Sequence, residues 1–267
     1  MEISGGKVLF LAVLITSVYV YQQLALRDVF ILLRGKPNID SQVLKTIPNT
    51  RLVYKIKSAA FDHLDYRNTT SNNNMDSNTD KNNNSWNYAV LARGFKNDEA
   101  VDNYVRALQH FDFVEETKYL ASISTKLDIV FNMYNMFLRC WGYVGTHLNI
   151  IPSRPFEVLP SSTRKCKMED EAENLDEIHS ISLLSVTDSA EMNRYRAFFL
   201  WKAFPAYDVE LVYTGAPVTG GWSTFVVFKY PEYRDFCELI TSKLYEVAVQ
   251  HKYRSVKDSY GFVVTPI

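Results

Sequence analysis

Two rhythms of apolar residues alternate along the chain. Ile181–Thr187 is a short apolar run, followed by Asp188, a residue type that caps helix N-termini. Beyond it Met192, Tyr195, Phe199 and Ala203 recur at spacings of 3, 4 and 4, which places them on one face of a helix. Val209, Leu211 and Tyr213 then alternate as a strand that ends in a turn at Thr214–Gly221. Trp222–Tyr230 is a largely apolar strand. Pro231 opens another helix at a first-turn position, where its missing N–H is no loss, and the stripe of that helix is Phe236, Ile240, Leu244, Val247 and His251. Tyr260–Thr265 reads as a last strand.

This β-α-β-β-α-β order predicts a ferredoxin-like unit over 180–267. Residues 88–160 read in the same order. Tyr88–Phe95 is a strand, and the next helix carries Val101, Tyr104, Leu108 and Phe111. Tyr104 then matches Tyr195, Val114-Glu115 matches Val209-Glu210, Cys140 matches Cys237, and 155–160 matches 261–266. The expected fold is therefore α+β: two such units as an internal repeat, preceded by a hydrophobic N-terminal helix.

Breaks in the pattern set the boundaries. Val8–Tyr21 is apolar and free of charge, and the uncharged stretch runs to Leu26. That length approaches a membrane-spanning helix, and small residues are missing where a signal peptidase would need them. Residues 1–26 are thus expected to be an uncleaved single-pass anchor, the alternative being a secretion signal whose removal leaves a secreted protein. Residues 27–67 read as an extension with short strands. Asn68 to Asn87 holds nine Asn in twenty residues, expected to be a disordered loop, with glycosylation sequons at Asn68 and Asn83. Residues 161–179, basic and then acidic, read as a charged linker.

Composition removes several classes of function. With 29 Lys+Arg against 30 Asp+Glu the net charge is −1, without the basic excess of a nucleic-acid binder. The chain is 47% apolar and 14% aromatic, enough for a real core and for aromatic-lined clefts. Cys140, Cys166 and Cys237 have no C-x-x-C spacing and read as free thiols, with one bridge as the alternative in a lumenal protein. Five dispersed histidines suggest no metal site, and no nucleotide, nucleophile-elbow or H-E-x-x-H motif is present, so no cofactor is expected.

Over residues 180–267, Tyr195, Gly215, Trp222, Tyr230-Pro231, Phe236, Arg254 and Ser259 together resemble the dimeric α/β barrel (Dabb) superfamily, in an uncharacterised branch. The resemblance implies two ferredoxin-like sheets packed face to face, within one chain as an internal pseudo-dimer or between chains of a homodimer. It implies a cleft between helices and sheet, and the superfamily includes cofactor-free monooxygenases and cyclases. The residues able to line that cleft are Tyr195, Trp201, Tyr213, Trp222, Tyr230 and His251. His251 with Tyr195 forms the candidate catalytic pair, and Arg254 is a candidate cation for a ligand carboxylate. The leading expectation is a membrane-anchored binder of a small apolar or aromatic ligand. An enzyme using His251 and a Tyr, or an interaction module without a ligand, are the alternatives.

Overall fold

The computed structural model describes residues 26–36, 47–57, 86–124, 128–151, 177–219 and 221–267. The apolar segment 8–25, the Asn-rich tract to residue 85 with its sequons, and 152–176 of the linker region lie outside these residues. Among the described residues no helix is long and apolar enough to cross a membrane.

Eight strands form one antiparallel sheet: β1 Arg27–Gly35, β2 Thr50–Lys57, β3 Tyr88–Phe95, β4 Val114–Ser124, β5 Ile178–Val186, β6 Glu210–Gly215, β7 Thr224–Tyr230 and β8 Val256–Pro266. Their spatial order is β4-β1-β3-β2-β8-β5-β7-β6. Each half thus runs fourth, first, third, second, the ferredoxin-like order. β2 and β8 join the halves, from Tyr54 opposite Pro266 to Lys57 opposite Val263. The outer edges also meet. Val218 N–H donates to Ser122 O at 2.7 Å and Ser124 N–H to Ala216 O at 3.3 Å, so the sheet curls into a barrel. Gly215 lies at this seam, where a Cβ would come within 2.2 Å of the Ile123 side chain.

Helices cover the outside: α1 Asp98–Leu108 on the first half, α2 Asp128–His147 between the halves in sequence, then α3 Ser189–Phe198, a π-helical turn Phe199–Ala203, α4 Phe204–Tyr207, α5 Tyr233–Thr241 and α6 Lys243–Ser255. Asp188 caps α3 as its sequence predicts, its carboxylate accepting from Ala190 N–H and Glu191 N–H. The core has three layers. Phe30, Leu32, Ile181, Leu183, Phe225 and Val227 fill the barrel, and separate clusters lie beneath the helices of each half.

The first half departs from the sequence reading. Its four strands span 27–124, not 88–160, and residues 27–57 supply its first two strands instead of an extension. Tyr88–Phe95 is consequently a third strand, whereas Ile178–Val186 is a first strand. Tyr104 therefore follows the third strand of its half and Tyr195 the first strand of its own, and Cys140 sits on α2, outside the four-strand unit. The matched pairs are not equivalent positions. Cys237 is disulfide-bonded, while Cys140 carries a free, exposed thiol.

Candidate functional site

The first strands of the two halves are topological counterparts with different outward faces. β1 turns Val29, Ile31 and Leu33 toward the helix layer, where they pack with Val101, Tyr104 and Leu108 of α1. β5 turns Ser180 and Ser182 that way, with Gly261 opposite Ser182 and Thr224 opposite Leu184. Small side chains leave space. Where the first half is filled, the second keeps a cavity of about 770 Å³ between sheet and helices.

The roof is shaped by a local irregularity. In the π turn, Phe204 N–H reaches back to Phe199 O, a geometry often found at functional sites. Pro205 has no N–H, so the carbonyl four residues earlier, that of Trp201, loses its helical donor. Trp141 Nε1 on α2 donates to that oxygen at 3.2 Å instead. The turn held this way brings Phe199, Leu200 and Trp201 into the wall. Ring contacts continue inward: Tyr195–Phe199 at 4.8 Å, Phe199–Phe204 at 5.1 Å and Phe204–Phe228 at 4.4 Å between centroids.

Polar groups are few. Tyr195 and Tyr245 are hydrogen-bonded to each other, and Tyr230 lies beside Tyr245. Burial, reinforced by Tyr245, pushes the Tyr195 phenol well above its ordinary range, and burial does the same to Tyr230. These phenols stay protonated near neutrality and act as O–H donors rather than bases. Lys252 lines the cavity at 2% exposure. Arg196 reaches it from an exposed position on α3, Nη2 donating to Thr224 Oγ1 at 3.0 Å. Among the described residues, no histidine and no carboxylate contributes to the lining.

The sequence candidates divide accordingly. Tyr195, Trp201 and Tyr230 line the cavity; Tyr213, Trp222, His251 and Arg254 do not. Tyr213 points into the barrel and bonds Asp28. Trp222 meets Tyr260 edge-on at 6.5 Å. His251 Nδ1 is 2.6 Å from Glu191, so His251 and Tyr195 engage different partners. The cause is a break at Ser242, which leaves helical geometry with ψ 152° and caps α6, its Oγ accepting from Tyr245 N–H. The break shifts the buried face to Tyr245, Val249 and Lys252, and Val247 of the expected stripe is 68% exposed. Lys252 holds the place expected for His251.

Arg196 and Lys252 were not among the sequence candidates. The available signal was a cation bordering the apolar stripe, next to Tyr195. A separate polar chain lies in the barrel: Tyr54 hydroxyl to His179 Nδ1 at 2.9 Å, His179 Nε2 to Glu177 at 2.9 Å, and Glu177 to Lys229 at 2.7 Å. Burial lowers the His179 pKa, so the ring is neutral. A carboxylate only accepts; Nε2 therefore carries the proton and Nδ1 accepts from Tyr54. None of these residues lines the cavity. Among the described residues, no group of three or more His, Cys, Asp or Glu could hold a metal ion.

No protein-family model matches the chain, and no curated protein matches it in sequence. Among solved structures, chlorite dismutase from Candidatus Nitrospira defluvii, in complex with imidazole, is similar over 94% of this chain and 95% of that one, with TM-score 0.45 and 6% identity. A protein provisionally named a monooxygenase, from Lactobacillus acidophilus NCFM, is similar over 90% and 93%, with TM-score 0.41 and 8% identity. The RPA0582 protein of unknown function from Rhodopseudomonas palustris covers 37% of this chain and 88% of its own, with TM-score 0.30 and 20% identity.

Proposed function

We propose that the protein binds a small, largely apolar molecule in the cavity of its second half. One observation carries this reading. A cavity of about 770 Å³, in the size range of small-molecule sites, has aromatic and aliphatic walls, a few phenol donors and, among the described residues, no histidine or carboxylate in its lining. A general base must reach the proton it removes. The catalytic pair His251 and Tyr195 does not meet that need, because Glu191 holds the one and Tyr245 the other. The binding reading is therefore preferred to the enzyme reading.

Titration with N-phenyl-1-naphthylamine, a neutral fluorescent probe, tests it. Saturable binding is expected, weakened about tenfold or more by Ser182→Leu, which fills space on the cavity floor. Absence of binding, or binding that Ser182→Leu leaves unchanged, overturns the proposal. The urea midpoint of the variant confirms that it folds.

We also propose that one chain suffices for the barrel, and that its body faces an oxidising compartment. The rings of Phe30 in the first half and Phe225 in the second lie tilted against each other, 4.9 Å apart, in the shared interior, which supports pairing within the chain. The disulfide at Cys237 supports the compartment, since such bonds persist in oxidising surroundings. The sequons at Asn68 and Asn83 fit the same side. Residues 8–26 would supply the membrane tether.

A further inference from the structure

Arg196 is the cation at the mouth of the cavity, whose lining holds no carboxylate among the described residues. Lys252 is buried in the wall. Arg196 stands at the rim: exposed on its α3 side, yet partly withdrawn from water, which alone lowers its pKa. Among the described residues, its hydrogen-bond partner is a neutral hydroxyl, that of Thr224. The single carboxylate of α3, Glu191, already pairs with Arg194 and His251. A guanidinium partly withdrawn from water, with no carboxylate paired to it among the described residues, gains from an arriving anion. Its planar fork of N–H donors suits an oxyanion.

We propose that the ligand is an amphiphilic anion, its apolar body lying among Phe199, Val226, Phe228 and Tyr230 and its carboxylate, sulfonate or similar acidic group meeting Arg196 at the rim. This rests on the binding reading above and narrows it to a chemical class. Thr224 holds the guanidinium at the mouth of the cavity.

Two probes that share one ring skeleton separate this proposal from the reading beneath it. 8-Anilinonaphthalene-1-sulfonate carries an anionic group, and N-phenyl-1-naphthylamine does not. Fluorescence titration of the folded protein should give sulfonate binding about tenfold tighter than that of the neutral probe, a preference that shrinks as salt rises. Arg196→Gln should erase the preference by weakening only the sulfonate, and Arg196→Lys should keep part of it. Equal affinities for the two probes, or sulfonate binding unchanged in Arg196→Gln, would overturn the anionic assignment while leaving the cavity as a binding site. If neither probe binds, or if Ser182→Leu leaves both titrations unchanged, the binding reading itself fails and the anionic assignment with it.

Discussion

Tyr213 Oη donates a 2.9 Å hydrogen bond to Asp28 Oδ2, joining β6 to β1 across 185 residues of sequence. Asp28 is wholly buried and also accepts from Gly94 N–H at 3.3 Å, and the Arg51 guanidinium lies 5.1 Å from the centre of the Tyr213 ring. A carboxylate inside a barrel depends on such donors. Tyr213→Phe removes one of them while keeping the ring. It should lower stability by about 1–3 kcal/mol, read as a lower urea midpoint at unchanged m-value.

Acid should weaken the barrel in two stages. The folded-state pKa of His179 lies below its ordinary 6.5, because burial disfavours the charged ring. Burial pulls Glu177 upward, but hydrogen bonds from Lys229 and His179 outweigh it and hold Glu177 below its ordinary 4.5. For both groups the unfolded chain binds protons at higher pH than the folded one. Their stabilisation is therefore complete above those ordinary values and is lost as pH falls through the folded ones. Urea midpoints measured from pH 8 to 4 should decline below about 6.5 in the native protein. His179→Gln should flatten the decline between 6.5 and 4.5. An unchanged slope in that variant would remove His179 as its source.

The second half was legible because each element exposes one face, so Met192, Tyr195 and Phe199 keep helical spacing and Val209, Leu211 and Tyr213 keep a period of two. The first half was not. β1 is buried on both faces, and Val29–Leu33 therefore has no period at all. The Asn-rich tract looks like a boundary but falls between β2 and β3, two strands that pair with each other. Tyr195 and Tyr230 could be placed from register alone, whereas Trp201 lies off the helical stripe and enters the wall through the π turn. His251 was misplaced because Ser242, unremarkable in sequence, interrupts the helix. The cavity needed the contrast between Ser180 and Ser182 and the aliphatic side chains of β1, which is visible only once the two strands are known to be counterparts.

Filling that space should stabilise the fold. Ser180→Val adds apolar volume against an existing void, and a gain of about 1 kcal/mol is expected in the urea midpoint free energy. The reciprocal change, Ile31→Ser in the packed first half, should cost about 2–5 kcal/mol. Equal effects of opposite sign at both sites are not expected, since the second substitution also buries an unpaired hydroxyl.

At the barrel seam, Gly215→Ala places a methyl against Ile123, where the branched side chain has little freedom to yield. A loss of about 1–3 kcal/mol is expected. Ile123→Ala in the same chain should recover part of it, and a double-mutant cycle in urea measures the coupling.

Exposure of the body to a secretory lumen predicts glycan at Asn68 or Asn83. Treatment of the native protein with an N-glycosidase should raise its electrophoretic mobility, and Asn68→Gln with Asn83→Gln should abolish that shift. Unaltered mobility would remove the sequons as support for the lumenal assignment. N-terminal sequencing then separates a tether from a removed signal: a start near Met1 indicates the first, a start near Leu26 the second.

β8 is the latest strand in the sequence, yet it lies between β2 and β5 in the middle of the sheet. The order in which a ribosome delivers the chain and the order in which the strands assemble therefore run against each other. Before β8 emerges, the first half exposes the edge of β2 and the second half lacks the neighbour of β5. Such open edges invite pairing with other chains. Joining residues 54–57 to 263–266 closes a very long loop, which places the step late and slow in folding. The nascent protein thus depends on protection of its strand edges until β8 inserts and completes both halves at once.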